Sequence, residues 1–213
     1  MNYMQICQAL GISAYQSKSK YADICALIAS NLESKRLNNA DEFIKSGITM
    51  KTVRLKQNGM PKESMSFKNI DYYEVYENDD WIESEAYEIF TGRFLFIVFK
   101  PTKNETITIY NNSTKKYITE PSYSLNSVFF WTMPSADLEV AREFWTNIRN
   151  AVTTNNITPK AFWSIANHKK FHVRPKAKVK NDITSNPNVG SCEKFCYWFN
   201  AEYVKEIIDA NIQ

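Results

Sequence analysis

The chain has no long apolar run. Its most hydrophobic stretch, Phe94–Phe99 (FLFIVF), is far short of the roughly 20 residues that a helix needs to cross a bilayer, so no membrane partner is expected. The four cysteines, Cys7, Cys25, Cys192 and Cys196, contain no C-x-x-C pair. Cys192 and Cys196 have no second pair near them in sequence, which argues against a redox centre or a zinc module. The N-terminus lacks a basic segment followed by an apolar one, so no secretory signal is expected and a cytoplasmic location is. Charge of one sign is also lacking: 26 Lys+Arg against 23 Asp+Glu leave a net charge of +3, and bulk charge therefore names no partner. No internal repeat or low-complexity linker interrupts the 213 residues, and one domain over residues 1–213 is expected.

What is present suits a sizeable core: 44% apolar and 14% aromatic residues. The charges are segregated. Asp71 to Glu88 holds eight acids and no Lys or Arg, whereas Lys160 to Asn181 holds seven cations and no acid. Such asymmetry is the electrostatic footprint expected of one functional face. Periodicity predicts helices over 3–10, 19–36, 135–152 and 201–212, and a short one opening at Thr158-Pro159. It predicts strands over 48–55, 93–100, 105–110, 127–132 and 170–174, with Asn58-Gly59 turning the chain so that 63–67 returns as a second arm. The acidic stretch 79–90 is expected on the surface. The elements follow no strict βαβ rhythm, so the fold class is α/β of the mixed α+β kind, with a mixed central sheet flanked by helices. Trp131, Phe144, Trp145, Phe162 and Trp163 read as core, and His168 and His172 as surface or satisfied histidines.

Lys51 carries the chemical interest. Side chains two apart on a strand share a face, so an acid and a lysine spaced E-x-K converge on one point. With an earlier acid closing on the same point, two carboxylates hold Mg²⁺ and the lysine serves water beside a scissile phosphate. Here the position two before Lys51 is Thr49, a neutral residue, and Glu42 stands nine residues before Lys51.

The residues around this strand resemble the MutH family, which includes a mismatch-repair nicking endonuclease and type II restriction endonucleases that cut at GATC. The match runs through Glu42, Phe43, Gly47, Ile48, Met50, Lys51, Thr52 and Gly59-Met60-Pro61. It continues with Lys62-Glu63-Ser64-Met65-Ser66-Phe67, which resembles a segment in the C-terminal half of those restriction enzymes. Arg142–Trp145, His172–Ala177 and Cys196–Asn200 follow in family order. The resemblance implies a restriction-endonuclease-like fold of MutH type. It also implies that the metal-binding positions fall on Ile28, Glu42 and Thr49, and a second lysine position on Gly92, so no intact catalytic set and no metal site are expected. Glu42, Thr49 and Lys51 are its remnant.

The implied function is duplex binding at GATC by a non-cutting effector domain, with no cofactor of its own. Mg²⁺ would serve an N-terminal catalytic domain of the same polypeptide, and DNA would induce dimerisation. Arg174 and Lys176 are the implied base readers, since an arginine can grip guanine O6 and N7 together. Lys169, Lys170 and Lys178 are expected on phosphates. Lys20 and Lys51, Ser64 and Ser66 are further expected contacts, and Tyr197 falls near a position that senses adenine methylation. The competing reading is an active Mg²⁺-dependent endonuclease or nickase built on Glu42 and Lys51.

Overall fold

Helix ends in this chain are set by side chains close at hand. In the computed structural model, which describes residues 1–32, 45–175, 183–188 and 190–212, helix α1 (Tyr3–Ala9) opens with a reciprocal cap. The Gln5 backbone N–H donates to the Asn2 side chain, and the Asn2 N–H donates back to Gln5. Helix α2 (Lys20–Ala29) is shorter than its periodicity predicts. Asn31 and Leu32 adopt left-handed backbone (φ 51° and 70°), and their N–H groups return to the carbonyls of Ile28 and Leu27. That is a Schellman closure with asparagine where glycine is usual. Ile28 and Leu32, expected on the core face, are exposed.

The chain divides into two compact units, one built from Met1–Lys62 with Arg93–Trp131, the other from Glu63–Gly92 with Thr132–Asn211. In the first unit β1 (Ile48–Arg54) lies parallel to β3 (Arg93–Asn111), and β3 pairs antiparallel with β4 (Lys116–Trp131). The strand predicted at 93–100 is the central one, as its apolar run requires. The separate strands predicted at 105–110 and 127–132 are parts of β3 and β4, which run on through a register shift between Pro101 and Thr106. Tyr3, Cys7, Tyr21, Ile24 and Cys25 of α1 and α2 pack with Phe99, Ile107, Ile109 and Tyr123 of the long strands. The mixed sheet flanked by helices is the predicted class.

In the second unit β2 (Met65–Asn69) and β5 (Phe171–Pro175) both pair antiparallel with β8 (Phe195–Phe199). This corrects the expected hairpin. Only its tip forms, with Leu55 bridged to Pro61 and Lys56 N–H bonded to the Met60 carbonyl, and residues 65–69 take β8 as their partner. Met65 and Phe67 are buried, and apolar burial against a long-range strand outweighs the local turn signal. Short β6 (Ile183–Thr184) and β7 (Cys192–Glu193) pair with each other. Helices α3 (Tyr72–Glu77), α4 (Glu85–Thr91), α5 (Ser135–Thr153) and α6 (Ala201–Asn211) complete the unit. The stretch 79–90 is not merely surface, because Trp81, Ala86 and Phe90 are interior. No helix opens at Thr158-Pro159, where the chain makes turns instead.

Phe90 is the hub of this core. Its ring centroid lies 5.6 Å from Phe171, 5.8 Å from Phe199, 5.9 Å from Tyr197 and 6.1 Å from Phe67. All four cysteines are free thiols, with Cys7, Cys25 and Cys196 buried. Among the described residues no helix is long and apolar enough to cross a membrane.

Truncating the hub is expected to be severe: Phe90→Ala should lower the unfolding free energy by about 3–5 kcal/mol, read from urea denaturation followed by tryptophan fluorescence.

Candidate nucleic-acid interface

Alternation along β5 and β8 sorts their side chains into two faces. Phe171, Val173, Phe195, Tyr197 and Phe199 are buried together on the aromatic side. His172 stands opposite Trp198 and Arg174 opposite Cys196, on the other face. Ser66 of β2 pairs with Trp198 from the far side of β8. Arg174 is exposed near the end of β5, and its guanidinium carbon lies 3.8 Å from the centroid of the Trp198 ring. His172 stacks on the same indole, centroids 5.9 Å apart and planes 21° apart.

His172 is held from below. Its Nδ1 meets the Asn200 side-chain oxygen, while the Asn200 amide nitrogen donates to the His168 carbonyl at 2.5 Å and the Asn200 backbone N–H donates to the Lys170 carbonyl at 2.8 Å. Because the amide nitrogen is committed to His168, the oxygen must face the imidazole, which assigns the proton to Nδ1. Burial, first, and the neighbouring Arg174 charge lower the His172 pKa, so the ring is neutral near neutrality.

The other residues expected at an interface divide sharply. Lys169 is exposed, and Ser64 and Ser66 are half-buried. Lys176 and Lys178 lie outside the described residues. Lys170 is not a free cation: its ammonium is 2.6 Å from Asp137 and 4.7 Å from the Tyr203 ring centroid. Tyr203 donates to the same carboxylate at 2.7 Å, so Lys170 ties the start of β5 to α5 and α6. Tyr197 is wholly interior, against Phe90 and Phe144. Burial, then the nearby Glu74 and Glu85, drive its pKa well above the usual tyrosine value, and it presents no group to a base. Lys20 is likewise interior, 1% exposed and ion-paired with Glu120. Its pKa is lowered, by burial first, with Glu120 opposing. Tyr197 and Lys20 were expected at a DNA surface, and this structure places both in the core.

In the first unit the nuclease-like strand keeps its geometry. Thr49 and Lys51 share a face of β1, opposite Phe94 and Phe96 of β3. Thr49 is exposed and Lys51 half-buried, while Glu42 lies outside the described residues. Ile28, at another implied acid position, is 53% exposed and apolar. Gly92 ends α4, and a Cβ there would stand 3.3 Å from the Ile89 carbonyl oxygen. Arg93, the next residue, pairs with Ile48 and turns to the opposite face of the sheet from Thr49 and Lys51. There its guanidinium carbon lies 4.4 Å from the Phe130 ring centroid, so it does not stand in for the second lysine that the resemblance implies at Gly92. Thr49 offers a neutral oxygen, a poor substitute for a carboxylate toward Mg²⁺. Among the described residues no group of three His, Cys, Asp or Glu side chains is arranged to hold a metal ion.

Sequence reasoning singled out Arg174, which is exposed, but did not foresee Trp198, His172 and Asn200 grouped beside it. The available signal was the alternation of 171–175 against 195–199, which places a tryptophan diagonally beside the arginine once the two strands are paired.

The mixed sheet with flanking helices is consistent with a restriction-endonuclease-like fold, and comparison with known proteins also points to restriction enzymes. The chain is 24% identical over 221 residues to the type II restriction enzyme Sau3AI of Staphylococcus aureus, across 92% of this chain and 42% of that protein. It therefore spans less than half the length of that relative. No family model matches the chain.

The buried neutral His172 has a consequence for stability. A histidine whose folded pKa is lowered supports the fold above its unfolded value of 6.5, and that support is lost as pH falls through the folded value. His172→Gln should flatten the stability profile between about pH 7 and about pH 5, and more so than His168→Gln, because His172 is the more deeply buried. Urea melts across that range read the difference.

Proposed function

We propose that residues 1–213 form one sequence-specific duplex-DNA-binding module of a MutH-like restriction endonuclease. It binds GATC without cutting it and acts as an effector or dimerisation domain for a catalytic domain of the same polypeptide. The observation that carries this reading is Arg174: exposed on the face of the β2–β8–β5 sheet opposite Phe171, Tyr197 and Phe199, and seated on Trp198. A guanidinium so presented has the reach and the donor fork for guanine O6 and N7 in the major groove. The likeness to a type II restriction enzyme supports DNA as the partner.

Lys169, Lys176 and Lys178 supply phosphate contacts in this reading, and binding then weakens steeply with salt through counterion release. Ser64 and Ser66 are further backbone contacts. Lys51 stays near a phosphate without a metal beside it. Mg²⁺ acts in the catalytic domain, because Thr49 lacks the charge that would hold it here.

A gel-shift series tests the reading. At near-physiological salt the chain should prefer a GATC duplex to a scrambled one, and equal affinity for the two would sink sequence recognition. Arg174→Ala should reduce that preference by about 1–3 kcal/mol. Lys169→Ala should weaken both duplexes alike and lower the salt slope by about one. Supercoiled GATC plasmid should survive incubation with the chain and Mg²⁺. Nicking that disappears in Lys51→Ala would establish the active-endonuclease reading instead.

A further inference from the structure

The Arg174 side chain does not stand alone. Its guanidinium carbon lies 3.8 Å from the Trp198 centroid, Trp198 lies in turn against His172, and His172 is fixed through Asn200 to the backbone at His168. The register of β5 on β8 builds this arrangement, with Trp198 directly opposite His172 and diagonal to Arg174. Trp198 is half-buried, and its indole Nε1 is buried, so the edge of the ring that could donate a hydrogen bond is turned away from solvent. What it offers outward is a π-face.

We propose that Trp198 is a positioning residue for sequence recognition, holding the Arg174 guanidinium in one plane before DNA arrives. This rests on the reading of Arg174 as a guanine reader. A stack occupies the face of a guanidinium and leaves its in-plane N–H groups free, which are the ones a bidentate contact with guanine uses. An arginine otherwise loses much rotamer freedom on binding. One already stacked has lost part of it in the free protein, and the saving appears as affinity for the correct site. His172 sets the indole orientation, and being neutral it adds no charge that would repel the guanidinium.

The test uses the full chain with Trp198→Phe and Trp198→Leu beside Arg174→Ala. Phenylalanine keeps a π-face, whereas leucine fills volume without one. The readout is the ratio of affinities for GATC and scrambled duplexes, with urea melts to follow packing. Trp198→Leu should lower the ratio about tenfold and Trp198→Phe about threefold or less. On the Arg174→Ala background Trp198→Leu should change the ratio no further. A purely structural tryptophan would instead lower stability without separating leucine from phenylalanine in the ratio, and that result overturns the proposal. Should Trp198→Leu fail to fold, the ring-current shift of the Arg174 side-chain protons in the free wild-type protein still decides. An upfield shift supports the stack, and random-coil positions overturn it. If the wild-type chain does not prefer GATC, recognition itself fails and this inference falls with it. If the wild type discriminates and Arg174→Ala does not, yet Trp198→Leu discriminates fully, only the role of Trp198 is lost.

Discussion

The second unit depends on the register of β8 between β2 and β5. That ladder sends Phe195, Tyr197 and Phe199 to one side, where Tyr197 and Phe199 close on Phe90, Phe199 also on Phe171, and Phe195 on Phe162, and sends Trp198 to the other. A one-residue slip of β8 would exchange its two sets, putting Phe195, Tyr197 and Phe199 into water and Trp198 into the core, away from Arg174. Burial of the aromatic face therefore fixes the geometry of the polar face, although the two share no side chains. The same constraint explains why β2 leaves its expected hairpin, since Phe67 stacks near Phe199 at 4.5 Å only when residues 65–69 pair with β8.

The first unit tells a complementary story. Its central strand is an apolar run, and its nuclease-like strand β1 retains the alternation that sets Thr49 and Lys51 on one face. The polar residues that depart from the expected pattern have been absorbed into structure. Lys20 serves the fold, with its charge balanced by Glu120 and flanked by the rings of Tyr3 and Tyr21. A buried pair of this kind contributes little net stability over an apolar substitute, but losing one partner leaves an uncompensated charge. Arg93 lies over Phe130, on the face of the sheet opposite Thr49 and Lys51. Thr49 and Lys51 thus share a face of β1 that carries one cation and a neutral hydroxyl.

Local signals carried well from sequence to structure. The predicted helix at 135–152 forms as Ser135–Thr153, the terminal helix as Ala201–Asn211, and the strand ending at Arg174 as Phe171–Pro175. Long-range pairing was not legible. Nothing near Lys20 reveals that Glu120 lies beside it, so a lysine at a helix start read as surface. Likewise Tyr197 sits in a run of aromatics whose inward and outward members are settled only once β5 and β2 flank β8. The early end of α2 was encoded in Asn31, whose tolerance of left-handed backbone counted for less than the apolar spacing of Ile28 and Leu32. At the candidate interface, charge clustering pointed to Arg174 and Lys169 but also to Lys170, because a count of cations does not show which of them has a carboxylate waiting in the fold.

In the proposed reading, recognition turns on Arg174 meeting a guanine edge. The most direct measurement is the affinity of the wild-type chain and Arg174→Ala for a GATC duplex in which the guanine carries carbon in place of N7. This single-atom change should weaken the wild type by about 1–3 kcal/mol and leave the variant unaffected, since alanine has no guanidinium to lose a bond to N7. A wild-type affinity that ignores the loss of N7 would contradict that reading.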